Sequence, residues 1–560
     1  MTASTLPAIA HQEARPLWPR LAIGALCILV ILPLAVILLS FTDPQGDTWH
    51  HFGQHVLPRL LVNTFWLLLG VGVGTTLLGV SLAWLTAIYD FPGRRWLTWA
   101  LLLPLAVPGY VLGFVTIGLL DFAGPVQSTL RELFGSAPQI PIRSRGGVIA
   151  VMALTLYPYV YLVARNAFLT QGRRALEAAQ TLGFSRRQGF FHVALPMARP
   201  WIAGGLALVL METLADFGTV VVFNYDTFTT AIYRAWFGMF NLSAASQLAS
   251  LLVVLVFIAL ALEQRSRRGQ RFTSATRGDH SERLSLGPVA RWGATFWCLL
   301  VFAVAVAIPL VQLSIWAWQS RGDFDSRYLG FLYHSLVLAC SGAFVVVALG
   351  MVLAYALRSR PDRVTRVLGR FVILGYALPG TVLAVGFYLP MSHLDNLWIE
   401  LGSYFGQHWS PLLGGTLAAM LLAYIVRFLA VGFHPVEAAL HRITSSMDEA
   451  ARNLGASPRQ IVAQVHLPLL RGGIATAAVL VFVDIMKEMP ITLMTRPFGW
   501  ETLAIRIFEM TSEGEWQRAA LPSIALVVAG LIPVLLLMRT SDAREHSSVN
   551  KDETVSEHAT

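Results

Sequence analysis

Apolar runs long enough to cross roughly 30 Å of hydrocarbon as helices, which takes about 20 residues, recur along the chain and alternate with short polar connections. About twelve are predicted, at residues 21–41, 60–88, 97–121, 147–168, 201–223, 246–263, 293–318, 331–357, 367–391, 412–433, 473–495 and 519–538. The first follows a polar segment holding Arg15 and Arg20. It exceeds the apolar core of a secretory signal and lacks a small-residue cleavage site, so it reads as a permanent span. Residues 264–291 are polar, Arg-rich and turn-prone, which predicts a cytoplasmic linker. Residues 540–560 read as a disordered cytoplasmic tail.

A repeat organises these runs. Glu177-Ala178-Ala179-Gln180-Thr181-Leu182-Gly183 returns as Glu449-Ala450-Ala451-Arg452-Asn453-Leu454-Gly455, 272 positions later. Val193-Ala194-Leu195-Pro196 returns as Val465-His466-Leu467-Pro468, and Thr230 with Arg234 as Thr502 with Arg506, at the same offset. Pro108-Gly109 returns as Pro379-Gly380, and Asn63-Thr64 as His334-Ser335, at 271. An even number of spans separates equivalent points, so the copies share one orientation and meet about a pseudo-two-fold axis along the membrane normal. The expected fold is an all-α polytopic membrane protein of two homologous six-helix halves in parallel repeat. Its divisions are a first half at 1–263, a linker at 264–291 and a second half at 292–539, with repeated loops near 170–200 and 435–472.

Composition agrees: 55% hydrophobic and only 13% charged residues exclude a water-soluble globule. The net charge of +9 does not indicate nucleic acid, because the arginines are spread over short loops rather than one soluble face. Arg94 and Arg95, Arg173, Arg174, Arg186 and Arg187, the 265–271 cluster, and Arg358 to Arg366 fall in alternate loops. The positive-inside rule makes those loops, and both termini, cytoplasmic. Cys27, Cys298 and Cys340 all lie within apolar runs, where a thiol acts as a small hydrophobe.

The repeated loop has its own chemistry. Ser185 with Gln188, and Ser457 with Gln460, fit the capping box, and Pro458 occupies the favoured first helical position. Gly183 and Gly455 stand where a preceding helix would end in the left-handed conformation. Each loop is therefore predicted to be helix, glycine turn and capped helix. Ala178, Ala179, Ala450 and Ala451 give the first helix a small-residue face suited to a protein partner. The plainer alternative is an amphipathic connector at the lipid headgroups, which would not require the same spacing twice.

Glu-Ala-Ala, three residues, Gly, nine residues, then an aliphatic, any residue and Leu-Pro resembles the cytoplasmic loop of ATP-binding-cassette importer permeases. Both copies match, through Glu177, Ala178, Ala179, Gly183, Val193, Leu195 and Pro196, and through Glu449, Ala450, Ala451, Gly455, Val465, Leu467 and Pro468. The resemblance implies a type I importer permease fold in the bacterial inner membrane, with each loop docking one of two ATPase subunits. It also implies a periplasmic substrate-binding protein as partner. Lys487 and Lys551 are the only lysines, and neither sits in a phosphate-binding Gly-Lys-Ser/Thr loop. ATP and Mg are therefore expected on the partner ATPase, with no cofactor and no catalytic residue on this chain.

Leu214-Ala215-Asp216-Phe217-Gly218-Thr219-Val220, Thr227 to Phe237, and Met486-Lys487-Glu488-Met489-Pro490 with Arg496-Pro497-Phe498 resemble the fused ferric-iron permeases. Permeases for thiamine, polyamines, phosphonates or sulfate share the architecture. Ionisable residues inside spans are costly and mark candidate sites. Glu212 and Asp216, one turn apart, repeat as Asp484 and Glu488. They either line the translocation pathway, as hard oxygen ligands suited to a trivalent cation, or brace helix contacts, with Lys487 neutralising a neighbour. Tyr157, Tyr159 and Tyr161 read as interfacial aromatic anchors rather than metal ligands. Arg234 and Arg506 either attract an anionic partner or are plain loop residues.

A major-facilitator secondary transporter also has six plus six spans, and Tyr89 to Arg95 faintly resembles one of its loops. That fold has no reason for the paired loops. A membrane enzyme lacks support, since His192, His334 and His466 form no metal cluster in the sequence.

Overall fold

A computed structural model of the chain describes residues 17–42, 46–135, 141–267, 283–323 and 325–532. Among the described residues, ten helices are long and apolar enough to cross a membrane. There are eleven if the bent pair Arg363–Ala377 and Gly380–Tyr404 is one span. A shorter apolar helix, Trp516–Ile532, begins the predicted twelfth run. The remainder of that run, the tail at 540–560, most of the linker and Arg15 lie outside the described residues. Helices dominate because a spanning segment must satisfy its backbone N–H and C=O groups internally.

Each half is built on three packed helices. In the first, Leu57–Ile88 runs along Arg145–Ala167, and Leu195–Ala215 packs on both. Arg327–Ser359, Leu417–Leu440 and Leu467–Lys487 repeat that trio. Small residues allow the approach. A Cβ at Gly79 would stand 2.8 Å from the Val160 side chain, and one at the equivalent Gly350 would meet the Gly432 backbone at 3.1 Å.

The halves are contiguous in sequence but exchanged in space. Ile23, Leu26, Cys27, Val30 and Ile37 of the first span are buried in the core dominated by the second half. There Pro33 and Ile37 press on Gly386. Ala294, Cys298, Val301, Ala305 and Val306 of the seventh span are buried with the first half. Each half thus holds the other's leading helix, which ties the two together.

Two pairs of predicted spans are broken. The run 97–121 divides into Arg94–Ala100, a tight 3₁₀ turn at Leu103–Ala106, and Gly109–Leu120. The run 367–391 bends by 110° between Arg363–Ala377 and Gly380–Tyr404. The breaks fall at Pro108 and Pro379, where proline forces the preceding Val107 and Leu378 into extended backbone. The runs predicted at 201–223 and 473–495 begin earlier, at Leu195 and Leu467, and end at Ala215 and Lys487. Short separate helices, Gly218–Val222 and Pro490–Thr495, follow. Hydrophobicity continues through these breaks, so a pattern of apolar positions does not reveal them.

Candidate functional site

The two repeated loops have the same backbone. Helix Arg173–Thr181 ends as the Phe184 N–H donates to Ala179 O and the Gly183 N–H to Gln180 O, both at 3.0 Å. In the second loop, after Ser445–Asn453, Ala456 donates to Ala451 O at 3.0 Å and Gly455 to Arg452 O at 2.9 Å. This double bond pattern requires a left-handed residue, supplied by Gly183 at φ +85° and Gly455 at φ +83°. Ser185 and Ser457 then cap the next helices. Their backbone N–H groups donate to Gln188 Oε1 at 2.9 Å and Gln460 Oε1 at 2.8 Å, and their Oγ atoms accept from the glutamine N–H groups. A wide π turn leads each capped helix into Leu195-Pro196 or Leu467-Pro468, where the proline has no N–H to donate.

The loops divide the predicted small-residue face. Glu177, Ala178, Glu449 and Ala450 are exposed, whereas Ala179 is 1% exposed and packs beneath Gly189 of the capped helix. Ala451 is half-buried. Leu182 and Leu454, beside the glycines, are 77% and 88% exposed, an apolar knob on each turn.

The loops differ in what holds them from behind. In the second, His466 Nε2 lies 2.7 Å from Asp448 Oδ1 and its Nδ1 3.0 Å from the Tyr355 hydroxyl. Asp448 Oδ2 accepts from Arg358 at 2.8 Å, and Arg358 also donates to Leu440 O and Ile443 O. His466 is therefore one member of a polar cluster, not the isolated histidine the sequence suggests. At the corresponding first-half positions stand buried Leu176, Ala194, Trp84 and Ala87, an apolar backing. Burial pushes the Asp448 carboxyl up, but its bonds from His466 and Arg358 outweigh this and hold it below the usual range. Its contribution is thus present above the ordinary aspartate pKa, near 4, and lost as pH falls through the lowered value. Asp448→Ala is expected to cost about 1–3 kcal/mol by orphaning its partners. The check is a thermal melt in detergent, with the deficit shrinking in acid.

Helices Leu195–Ala215 and Leu467–Lys487 run from these loops to a shared cavity of about 160 Å³ where the halves meet. Glu212, Asp216, Asp484 and Glu488 all line it, together with Arg427 and Lys487, a formal charge of −2. Gly109 of one broken span lines it, and Gly380 of the other packs on its wall at Glu488. A Cβ there would stand 2.7 Å from Thr219 Oγ1 and 2.9 Å from Glu488 Oε1, respectively. The repeated Pro-Gly and the repeated carboxylates are thus two sides of one contact.

The four carboxylates are held differently. Asp216 accepts from Thr219 Oγ1 at 2.9 Å and the Val220 N–H at 3.1 Å, tying down the start of Gly218–Val222. Glu488 Oε1 accepts from the Ile491 N–H at 2.8 Å, while Oε2 lies 3.7 Å from Arg427 Nε. Asp484 pairs with Lys487 at 2.8 Å. Glu212 receives a 2.9 Å hydrogen bond from Tyr376 of the opposite half. Tyr110, 6% exposed, also lines the cavity, and its hydroxyl has no hydrogen-bond partner among the described residues. Arg427, Tyr376 and Tyr110 escaped the sequence reading. Arg427 was detectable as an ionisable residue inside the run 412–433, by the same rule that selected the carboxylates.

Tyr157 and Tyr161 are fully buried, and they donate to Leu101 O at 2.8 Å and Thr98 O at 3.1 Å. They brace the unwound backbone of the broken span, contrary to their expected place at the membrane interface; Tyr159 lines the cavity. Arg234 is paired with Asp226, and Arg506 lies 3.3 Å from Glu509. Among the described residues, no three His, Cys, Asp or Glu side chains gather in a metal-binding arrangement.

Residues 75–267 and 346–545 each match the profile of the family described as binding-protein-dependent transport system inner membrane component. The Fe(3+)-transport system permease protein FbpB 2 of Haemophilus influenzae is 27% identical over 535 residues, 94% of this chain and 98% of that protein. The ferric transport system permease protein FbpB of Actinobacillus pleuropneumoniae is 22% identical over 90% of this chain and 76% of its own length. A shorter stretch, 28% of this chain, is 35% identical to the putative 2-aminoethylphosphonate transport system permease protein PhnV of Salmonella typhimurium, covering 59% of that protein.

Proposed function

Because the chain belongs to the family of inner membrane components of binding-protein-dependent transport systems and is a multi-pass permease of the ATP-binding-cassette type, we propose that it imports ferric iron. In this reading a periplasmic binding protein delivers the iron at the inner membrane, and a separate subunit hydrolyses the ATP. The observation that carries the proposal is the continuity of each repeated loop with a helix that ends at the cavity carboxylates. Leu195–Ala215 has 21 residues, about 30 Å of rigid helix. Displacement of a docked ATPase at the loop would move Glu212 and Asp216, and through the other loop Asp484 and Glu488.

Two equivalent loops call for two ATPase copies, docked over Leu182 and Leu454 and on the exposed faces of Glu177–Gly183 and Glu449–Gly455. The arginine-rich loops and both termini are cytoplasmic in this arrangement, and ATP and Mg stay on the partner. Phenols and carboxylates are hard oxygen donors that suit a trivalent cation. Lys487 and Arg427 already engage Asp484 and Glu488, which keeps the cavity a place of passage rather than a trap.

A second reading is an anionic substrate, favoured by Arg427 and Lys487 in the cavity wall and by the stretch similar to the phosphonate permease. Deletion of the gene decides between them. We expect growth to fail only under iron restriction, with loss of labelled iron uptake. If 2-aminoethylphosphonate, sulfate, thiamine or a polyamine relieves the defect and iron does not, the iron assignment fails.

A further inference from the structure

A second cavity, of about 380 Å³, lies between Arg327–Ser359, Arg363–Ile373 and Leu417–Leu440, behind the second repeated loop. Leu357, Ile373 and Leu440 give it an apolar wall, Arg358, Arg366 and Arg370 a cationic rim, and His441 a further polar group, opposed by one carboxylate, Glu437. Glu437 faces His434 at 3.4 Å and His441 at 3.9 Å. Arg366 and Arg370 are exposed and share one face of their helix. On the adjacent face Val364, Val367 and Phe371 are 53%, 44% and 50% exposed, apolar side chains that in a membrane protein meet acyl chains.

The repeat keeps only one cation of this rim, so the fold itself does not require the Arg366–Arg370 pair. At the corresponding positions the first half keeps Arg95 for Arg366 but has Ala87 for Arg358, Trp99 for Arg370 and Leu169 for His441. The first half also carries a strand contact at this level. Leu284–Ser285 pairs with Tyr89–Asp90, and Leu284 and Leu286 pack on that half's core.

We propose that this cavity receives the headgroup of one anionic phospholipid, its phosphate between Arg366 and Arg370, while its acyl chains lie outside the cavity along the exposed Val364, Val367 and Phe371. Arginine suits a phosphate diester because its planar donors engage two oxygens at once. An apolar wall beside a basic rim fits a lipid better than a free anion, and basic clefts between membrane helices are known headgroup sites. Arg358 joins the cavity to the Asp448–His466 cluster, so occupancy would stiffen the backing of the second loop alone.

The test uses the purified full chain in detergent, titrated with phosphatidylglycerol, with phosphatidylcholine of the same chains, and with inorganic phosphate. Bound lipid is counted by native mass spectrometry and thermal stability followed in parallel. Phosphatidylglycerol is expected to bind at one molecule per chain and raise the melting temperature, with no effect from the other two. The doubly substituted R366Q/R370Q chain should bind roughly 30-fold more weakly, for two lost arginine–phosphate attractions, while melting like the unsubstituted chain without lipid. Arg471→Gln, on another helix and outside the cavity, should bind normally. An equal response to phosphatidylcholine or inorganic phosphate, undiminished binding by the double variant, or an equal loss in R471Q would each overturn the proposal.

Discussion

Replacing Gly183 or Gly455 by proline is expected to abolish ATP-driven import while leaving the chain in the membrane. Proline fixes φ near −65°, whereas these residues sit at +85° and +83°, and it removes the N–H that closes the turn onto Gln180 or Arg452. Each loop would lose its helix end, the exposed Leu182 or Leu454 and the angle of entry into the long helix beyond. No atom lies within 4 Å of a Cβ built on either glycine, so the effect is conformational rather than a clash. Alanine at the same positions should therefore be intermediate, with a cost of about 1–2 kcal/mol for the left-handed conformation. The check is co-purification of the ATPase together with uptake. Wild-type values of both in the proline variants would remove the loops from the coupling mechanism.

The second large effect separates carboxylates that hold the fold from one free to act on the substrate. Glu488→Gln removes the carboxylate nearest the buried Arg427, which costs about 3 kcal/mol. The variant should be scarce in the membrane, and adding Arg427→Met should restore its abundance. Asp216→Asn keeps a cap oxygen for Val220 and should cost only about 1 kcal/mol. Glu212→Gln keeps an acceptor for Tyr376 and removes only charge. It should accumulate normally, support ATP hydrolysis by its partner, and import at least roughly tenfold more slowly, the factor that about 1.4 kcal/mol produces. Normal import by an abundant Glu212→Gln chain would leave the carboxylates a purely structural role.

The turns were legible in the sequence because their chemistry is local. Gly183, Ser185 and Gln188 interact within a few residues, and their repetition at Gly455, Ser457 and Gln460 removes the ambiguity of a single motif. The spans were legible as apolar runs, but their breaks were not. Pro108 and Pro379 interrupt backbone that stays apolar throughout, and the reason for the adjacent glycines appears only when Asp216 and Glu488 arrive from another helix. The exchange of leading spans is likewise a tertiary choice, since an apolar helix such as Trp18–Leu39 carries no mark of which half it will face. Tyr157 and Tyr161 were misplaced for the same reason. Their partners, Leu101 O and Thr98 O, are backbone groups freed by a break that local pattern does not show.

The most direct test of the account reconstitutes the chain with its ATPase in proteoliposomes, adds the iron-loaded binding protein on the periplasmic side and ATP on the side of the repeated loops, and follows labelled iron. Iron transfer is expected to need both partners and to stop with the Gly183→Pro/Gly455→Pro chain. Iron movement without ATP or the ATPase, or ATP-driven transport of another solute with iron excluded, would contradict it.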